Sequence, residues 1–288
     1  MNQELEAFFS TLEAEQRYSQ NTKAAYRNDL SQFYQFVVAN LSDKGSWNDV
    51  SHELVISYVT DLKEKAYASS SIARKVAAVK SFFGFLHAKQ LINDNPAKEV
   101  ESPKVKKRKP QTLTPEEVER LLHSPRSKQT PKNLRDAALL GVLYSTGMRV
   151  TEVVSLQLDE VDLENQILHC STTDGIQRDL PIDTTTYELL NQYIERGRPN
   201  LAKNGEQEAL FLNHRGQQLT RQGLWLIIKA YAKDAKLSTQ VTPHTLRHSF
   251  AAHKLRNGSN LQEIQQLLGH ANISTTQIYT QLEAQPQD

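Results

Sequence analysis

A mainly α-helical chain of two domains, with one small antiparallel β-sheet confined to the second, is the fold class this sequence predicts. Three observations carry that expectation. The chain has 288 residues, close to two ordinary domains of roughly 150 residues each. Between Ser102 and Pro110 lie five basic residues, Lys104, Lys106, Lys107, Arg108 and Lys109, with no acid and a proline at Pro103 and Pro110. Such a run reads as an extended linker, and it divides the chain into residues 1–101, a linker 102–111 and residues 112–288. Strand signals are few, all of them lie after the linker, and elsewhere apolar residues recur at helical spacing.

The first half reads as four helices. In the second of these, Tyr26, Leu30, Phe33, Tyr34 and Val37 share a face after Asn21-Thr22; in the fourth, Ile72, Val76, Val79, Phe83 and Leu86 do so after the start signal Ser69-Ser70-Ser71. The polar face of that fourth helix carries Arg74, Lys75 and Lys80, so the picture is a small bundle with a basic side. Asn95-Pro96 closes it.

Past the linker, Thr114-Pro115-Glu116-Glu117 places an N-cap, a proline at the first helical position and a glutamate at the third. Ile167 to Ser171 and Arg178 to Ile182 flank Asp174-Gly175 as a hairpin, and Ala209 to Leu212 is a candidate third strand. The remainder reads as helices over Asn133 to Ser145, Val150 to Leu156, Thr185 to Arg196, Arg221 to Ala235, His244 to Asn257, Leu261 to Leu268 and Ser274 to Leu282.

Composition narrows the class. A hydrophobic fraction of 38%, a charged fraction of 23% and 21 residues of Gly plus Pro exclude collagen-like, low-complexity and fully disordered chains. The longest uncharged apolar stretch, Ala137 to Met148, falls short of the ~18 to 20 residues that a bilayer span needs. The opening Met1-Asn2-Gln3-Glu4-Leu5-Glu6 is acidic where a secretory signal is basic, and the lone Cys170 cannot form an intrachain disulfide. The expectation is a cytoplasmic protein without a membrane partner. A net charge of +1 excludes an indiscriminate polycation, so any nucleic-acid binding must come from local clusters: Arg74, Lys75 and Lys80 on the bundle, and Lys106, Lys107, Arg108 and Lys109 in the linker. Taken alone, the linker run also fits a solvated hinge.

In Thr242-Pro243-His244-Thr245-Leu246-Arg247-His248, His244 and Arg247 stand three apart on the first turn of a helix and point to one side, where the helix terminus adds its own positive partial charge. An anion, phosphate above all, is the natural ligand. Leu267-Leu268-Gly269-His270 ends the next helix, and Ser274-Thr275-Thr276-Gln277-Ile278-Tyr279 follows. Spacing of four between His244 and His248 also suits a metal, but Thr245 sits where a zinc-protease helix needs its glutamate, so no metal and no other cofactor is expected. His248 and His253 are read as facing the core or solvent.

Together with Ser145-Thr146-Gly147-Met148-Arg149-Val150-Thr151-Glu152, these segments resemble the tyrosine recombinase (phage integrase) family, closest to its two-domain Xer members. Asn21-Thr22, Ala25-Tyr26, Asp29-Leu30, Ile72-Ala73-Arg74-Lys75 and Asn95-Pro96 extend the resemblance over nearly the whole chain, with residues 1–101 as a SAM-like core-binding domain and 112–288 as the catalytic domain. The resemblance implies that Tyr279 attacks a DNA phosphodiester to give a 3′-phosphotyrosyl link and a free 5′-hydroxyl, storing the bond energy without a nucleotide cofactor. Arg149 and Arg247 would then hold the non-bridging oxygens, His270 would be a third donor, His244 would exchange a proton with Tyr279, and Glu152 would orient the site. It also implies a clamp on duplex DNA, a homo- or hetero-tetramer assembled on two recombination sites, and a possible paralogous recombinase or accessory factor, in roles such as DNA integration, resolution and chromosome partition.

One departure stands out. The family's hairpin lysine, which protonates the leaving 5′-oxygen, aligns with Thr173, and Asn165 to Ile182 contain no lysine. His169, Arg178 or a lysine from elsewhere would have to replace it. A noncatalytic or impaired DNA-binding or architectural protein of the same fold is therefore the alternative expectation, since losing a general acid costs about 10²- to 10⁴-fold in rate.

Overall fold

The computed structural model describes residues 1–15, 19–41, 45–105, 110–171, 177–202, 207–270 and 272–280. The chain divides into two compact units, Met1–Lys107 and Arg108–Asp288.

The first unit is built of α1 (Asn2–Ala14), α2 (Gln20–Asn40), α3 (His52–Glu64) and α4 (Ser69–Ala88), with a single 3₁₀ turn at Trp47–Asp49. Side-chain caps start two of them: Ser19 accepts from the Thr22 amide and Ser51 from the Leu54 amide, each satisfying an otherwise orphaned donor. At α4 the expected serine cap is absent and Ala68 holds the cap position. The apolar stripes meet in an aromatic core of Phe8, Phe33, Trp47, Phe82 and Phe83, where Phe33 stacks on Trp47 and the other pairs meet edge to face or tilted, at centroid separations from 4.8 to 6.3 Å.

Lys75 corrects the reading of the α4 polar face. It is 4% exposed and its Nζ donates to Asp29 Oδ1 at 2.9 Å, while Arg74 Nη1 donates to Asp29 Oδ2. The reason is Asp29, fully buried on α2, whose carboxylate draws Lys75 inward while Arg74, which also pairs with it, stays exposed. Replacing Asp29 by alanine leaves Lys75 buried without its counter-charge. The expected loss is about 3 to 5 kcal/mol of unfolding free energy in urea titration, and a change within the error of the parent value would show that Lys75 escapes to solvent.

In the second unit the Leu113 amide donates to Ser249 Oγ, and the Thr114 capping box with Glu117 opens α5 (Pro115–His123). Then come α6 (Pro131–Thr146), α7 (Val150–Ser155), β1 (Val161–Asp162), β2 (Ile167–Ser171), β3 (Gln177–Pro181), α8 (Thr184–Gln192), a π turn at Tyr193–Gly197, α9 (Arg198–Leu201), α10 (Arg221–Asp234), α11 (Pro243–Arg256) and α12 (Leu261–Leu268). Two 3₁₀ turns, Ile273–Thr275 and Gln277–Tyr279, end the described chain. Helix α6 is buried on nearly all sides and forms the centre against which α8, α11 and the π turn pack. The sheet runs β1-β2-β3, all antiparallel, with Cys170 opposite Arg178 and Leu168 opposite Leu180.

Two expected elements differ. Its third strand is β1, not Ala209–Leu212; that stretch makes only isolated bridges, at Ala209 with Gln157 and at Leu212 with Gln218. Backbone bonds from the Leu210 amide to the Leu156 carbonyl and from the Leu219 amide to the Phe211 carbonyl hold it, and side chains add to them, Tyr193 Oη donating to the Leu210 carbonyl and Arg135 Nη1 to that of Leu212. The tyrosine segment is 3₁₀ rather than an α-helix from Ser274, because the Asn272 side chain accepts from the Ser274 amide and three threonines in the segment disfavour a regular helix. The hairpin tip with Thr173, Asp174 and Gly175, the linker residues Lys106, Lys107, Arg108 and Lys109, and Gln281 onward lie outside the described residues. No helix among the described residues is long and apolar enough to cross a membrane.

Candidate active site

Two glycines with left-handed backbone shape the site. Gly147 ends α6 at φ 61°, and a Cβ there would stand 2.5 Å from the Phe250 ring. Gly269 ends α12, also at φ 61°, and a Cβ there would stand 2.3 Å from Arg178 Nη1. Both turns therefore require glycine for backbone freedom and for close approach.

Around the end of α12 three guanidiniums converge. Arg178 of β3 donates from Nη1 to the Leu267 carbonyl (2.9 Å), Arg247 of α11 from Nη2 to that of Leu268 (2.6 Å), and Arg149, the N-cap of α7, from Nη2 to that of Gly269 (2.5 Å). The carbonyl end of a helix carries negative partial charge, so it attracts them. Glu152 pairs with two of them: Oε1 accepts from Arg149 Nη1 (2.8 Å), and Oε2 from the Arg149 amide (2.7 Å) and Arg178 Nη2 (2.9 Å). Three guanidiniums against one carboxylate leave a net positive site. Arg247 is 6% exposed; burial, and then the nearby Arg149 charge, pushes its pKa down to about 10, which leaves it charged at neutral pH. Arg149, Arg178, Gly269 and His270 line one wall of an open cavity of about 1030 Å³.

Tyr279 is 1% exposed, packed with Phe250, Ile264 and Leu268, and its hydroxyl lies 2.9 Å from His248 Nδ1. Burial raises its pKa. His244 is exposed, its ring centroid 6.4 Å from that of His248. His270 places Nδ1 2.9 Å from Thr276 Oγ1. The structure thus brings Arg149, Glu152, Arg247 and His270 to one helix end, and it seats Tyr279 on His248 rather than on His244. The reading of His248 as a core or solvent residue is corrected on this point. Its place one turn after His244 was the available signal, since residues four apart share a helix face.

His253 pairs with the Tyr144 hydroxyl, and His169, exposed, with Asp179. Arg178 is the other residue whose weight the sequence understated. Alternation along β3 puts Arg178 and Leu180 on the inward face, and its donors go to Glu152, Leu267 and Cys170, not to solvent. An arginine so held does not yield a proton, which argues against it as the replacement general acid.

Both site histidines resist protonation. Burial is the main cause, then His244 and Arg247 for His248, and the three arginines, Arg247 first, for His270; both pKa values are pushed down to about 4 from 6.5. As pH falls through 6.5 the unfolded chain takes up these protons before the folded one does, so stability is full above 6.5 and drains until about 4. The melting temperature is expected to fall across that window, less steeply in His270→Gln. A flat profile between those values would contradict the buried, neutral assignment.

Three clustered guanidiniums, two of them on the wall of an open cavity, define the class: a site whose chemistry suits an anion of phosphate type. The family comparisons agree with that chemistry. Residues 111–285 match the phage integrase family, and residues 5–90 match the phage integrase N-terminal SAM-like domain. The chain belongs to the phage integrase family. It is 46% identical over 284 residues to the tyrosine recombinase XerC of Roseiflexus sp. (strain RS-1), covering 98% of this chain and 90% of that protein. To the tyrosine recombinase XerD of Halalkalibacterium halodurans it is 41% identical over 280 residues, covering 97% and 93%. Among solved structures, a lambda integrase (75–356) dimer bound to a COC′ core site shares the fold at a TM-score of 0.77 and 16% identity, with 100% of this chain and 98% of that one covered.

Proposed function

We propose that the chain is a site-specific DNA recombinase that cuts and rejoins strands through a 3′-phosphotyrosyl link. One observation carries the reading: Arg149, Arg247 and His270 meet at the end of α12, and the segment leaving that end bears Tyr279. In the cleavage step the Tyr279 oxygen bonds to phosphorus, the bond from phosphorus to the 5′-oxygen breaks, the phenol proton leaves and the 5′-oxygen gains one. Arg149 and Arg247 hold the non-bridging oxygens as charge builds on them. In the tautomer in which Nδ1 accepts from the Thr276 hydroxyl 2.9 Å away, the single N–H of neutral His270 sits on Nε2 and serves as a third donor. His244, on the exposed side, takes the phenol proton, and His248 holds the hydroxyl beforehand. Religation reverses each step, so no energy donor is consumed.

Double-stranded DNA is the substrate, and four cleavages on two sites imply a tetramer, of one chain or shared with a paralogous recombinase or accessory factor. Arg74 and Lys80 on α4 and the basic residues of a linker at 102–111 supply phosphate contacts. The lone, buried Cys170 fits a reducing cytoplasm.

The test is a nicked duplex carrying a site that the protein itself selects from random-sequence DNA; the nick traps the covalent complex. A stable protein–DNA adduct is expected on a denaturing gel, in EDTA as without it. Tight binding with no adduct would instead support the noncatalytic DNA-binding reading.

A further inference from the structure

We infer that Arg178 is a positioning residue for strand cleavage, acting through Glu152 on the Arg149 fork and through Leu267 on the end of α12. The assignment rests on the recombinase reading above. Arg178 occupies an inward-facing position of β3, opposite Cys170, where the strand's alternation calls for an apolar side chain. Its guanidinium is 7% exposed, so burying that charge is worthwhile only with strong partners. It has them at both ends: one arm meets Glu152 Oε2 at 2.9 Å and the other the Leu267 carbonyl at 2.9 Å.

Those partners are the two fixtures of the phosphate-holding arginines. Glu152 grips the Arg149 amide and guanidinium, and the carbonyls next to Leu267, those of Leu268 and Gly269, are taken by Arg247 and Arg149. Without Arg178 the Glu152 carboxylate keeps only donors from Arg149 itself, and residue and counter-ion are free to swing together. The close seat is built in, since the Gly269 backbone leaves no room for a Cβ beside Arg178 Nη1. A guanidinium spans both partners; a lysine ammonium reaches one.

The experiment compares full-length parent, Arg178→Met, Arg178→Lys, Glu152→Gln and the Glu152→Gln/Arg178→Met pair on the nicked duplex described above. Adduct rates are taken at saturating protein, with DNA affinity and melting temperature measured in parallel. Arg178→Met is expected to slow adduct formation about 10²-fold, the cost of misplacing a site group by about an ångström. Affinity should stay within about threefold, since Arg178 spends its two arms on Glu152 and the Leu267 carbonyl. Arg178→Lys should recover no more than about tenfold of that loss. The paired variant should be slower than Glu152→Gln alone by less than about threefold, because both changes break one linkage. Multiplying losses in the pair, or a parental rate in Arg178→Met, would overturn the inference. Should Arg178→Met fail to fold, Arg178→Lys decides it: a parental rate at a parental melting temperature would refute a positioning role. A parent protein that yields no adduct would instead overturn the recombinase reading, so the two failures are distinguishable.

Discussion

Tyr279→Phe is expected to abolish the covalent protein–DNA adduct and to leave DNA affinity within a few-fold of the parent. Only an oxygen is lost: the ring, 1% exposed among Phe250, Ile264 and Leu268, keeps its packing. His248 Nδ1 loses its hydroxyl partner at 2.9 Å, for a stability cost of about 1 kcal/mol. Binding and cleavage thus separate cleanly, which gel shift and denaturing gel on the same nicked duplex read side by side. An adduct that persists in the phenylalanine variant would remove Tyr279 from the mechanism.

Arg247→Ala should be nearly as severe, and on two counts. The guanidinium is 6% exposed and donates to the carbonyls of Gly147 at 2.5 Å and Leu268 at 2.6 Å, so its removal strands two buried acceptors at about 1 to 3 kcal/mol each. The transition state loses a forked donor, worth about 10²- to 10³-fold in rate. Arg247→Lys keeps the charge but cannot reach both carbonyls, so it should regain part of the stability and little of the rate. Thermal melts with single-turnover cleavage separate the two effects. Parental cleavage in a folded alanine variant would exclude Arg247 from the phosphate clamp.

Much of this architecture was legible because helix ends announce themselves locally. Thr114 with Glu117 opens α5, glycines at 147 and 269 close α6 and α12, and each signal sits within four residues of the boundary it sets. What stayed hidden depended on partners distant in sequence. Lys75 looks solvent-facing until Asp29 is placed 46 residues away in the core. His248 looks idle until Tyr279, 31 residues later, folds back onto it, and the inward turn of Arg178 makes sense only beside Glu152 and Leu267. The Ala209–Leu212 stretch reads as a strand by composition, yet its backbone pairs only in isolated bridges, and side chains from α6 and the π turn take the Leu212 and Leu210 carbonyls. Local patterning reports propensity; the assignment of a polar group to core or surface is decided by what else arrives there.

Helix α12 is eight residues long, and its last two carbonyls and that of its C-cap Gly269 are each gripped by a different guanidinium, borne on β3, α11 and the start of α7. The helix end is therefore a common axle. A shift of that short rod along its own length drags all three cations in step, together with His270, which follows it directly, and the tyrosine segment beyond. Under the proposed function, the Arg149–Arg247 clamp and the Tyr279 segment are therefore set together, with few half-armed arrangements between.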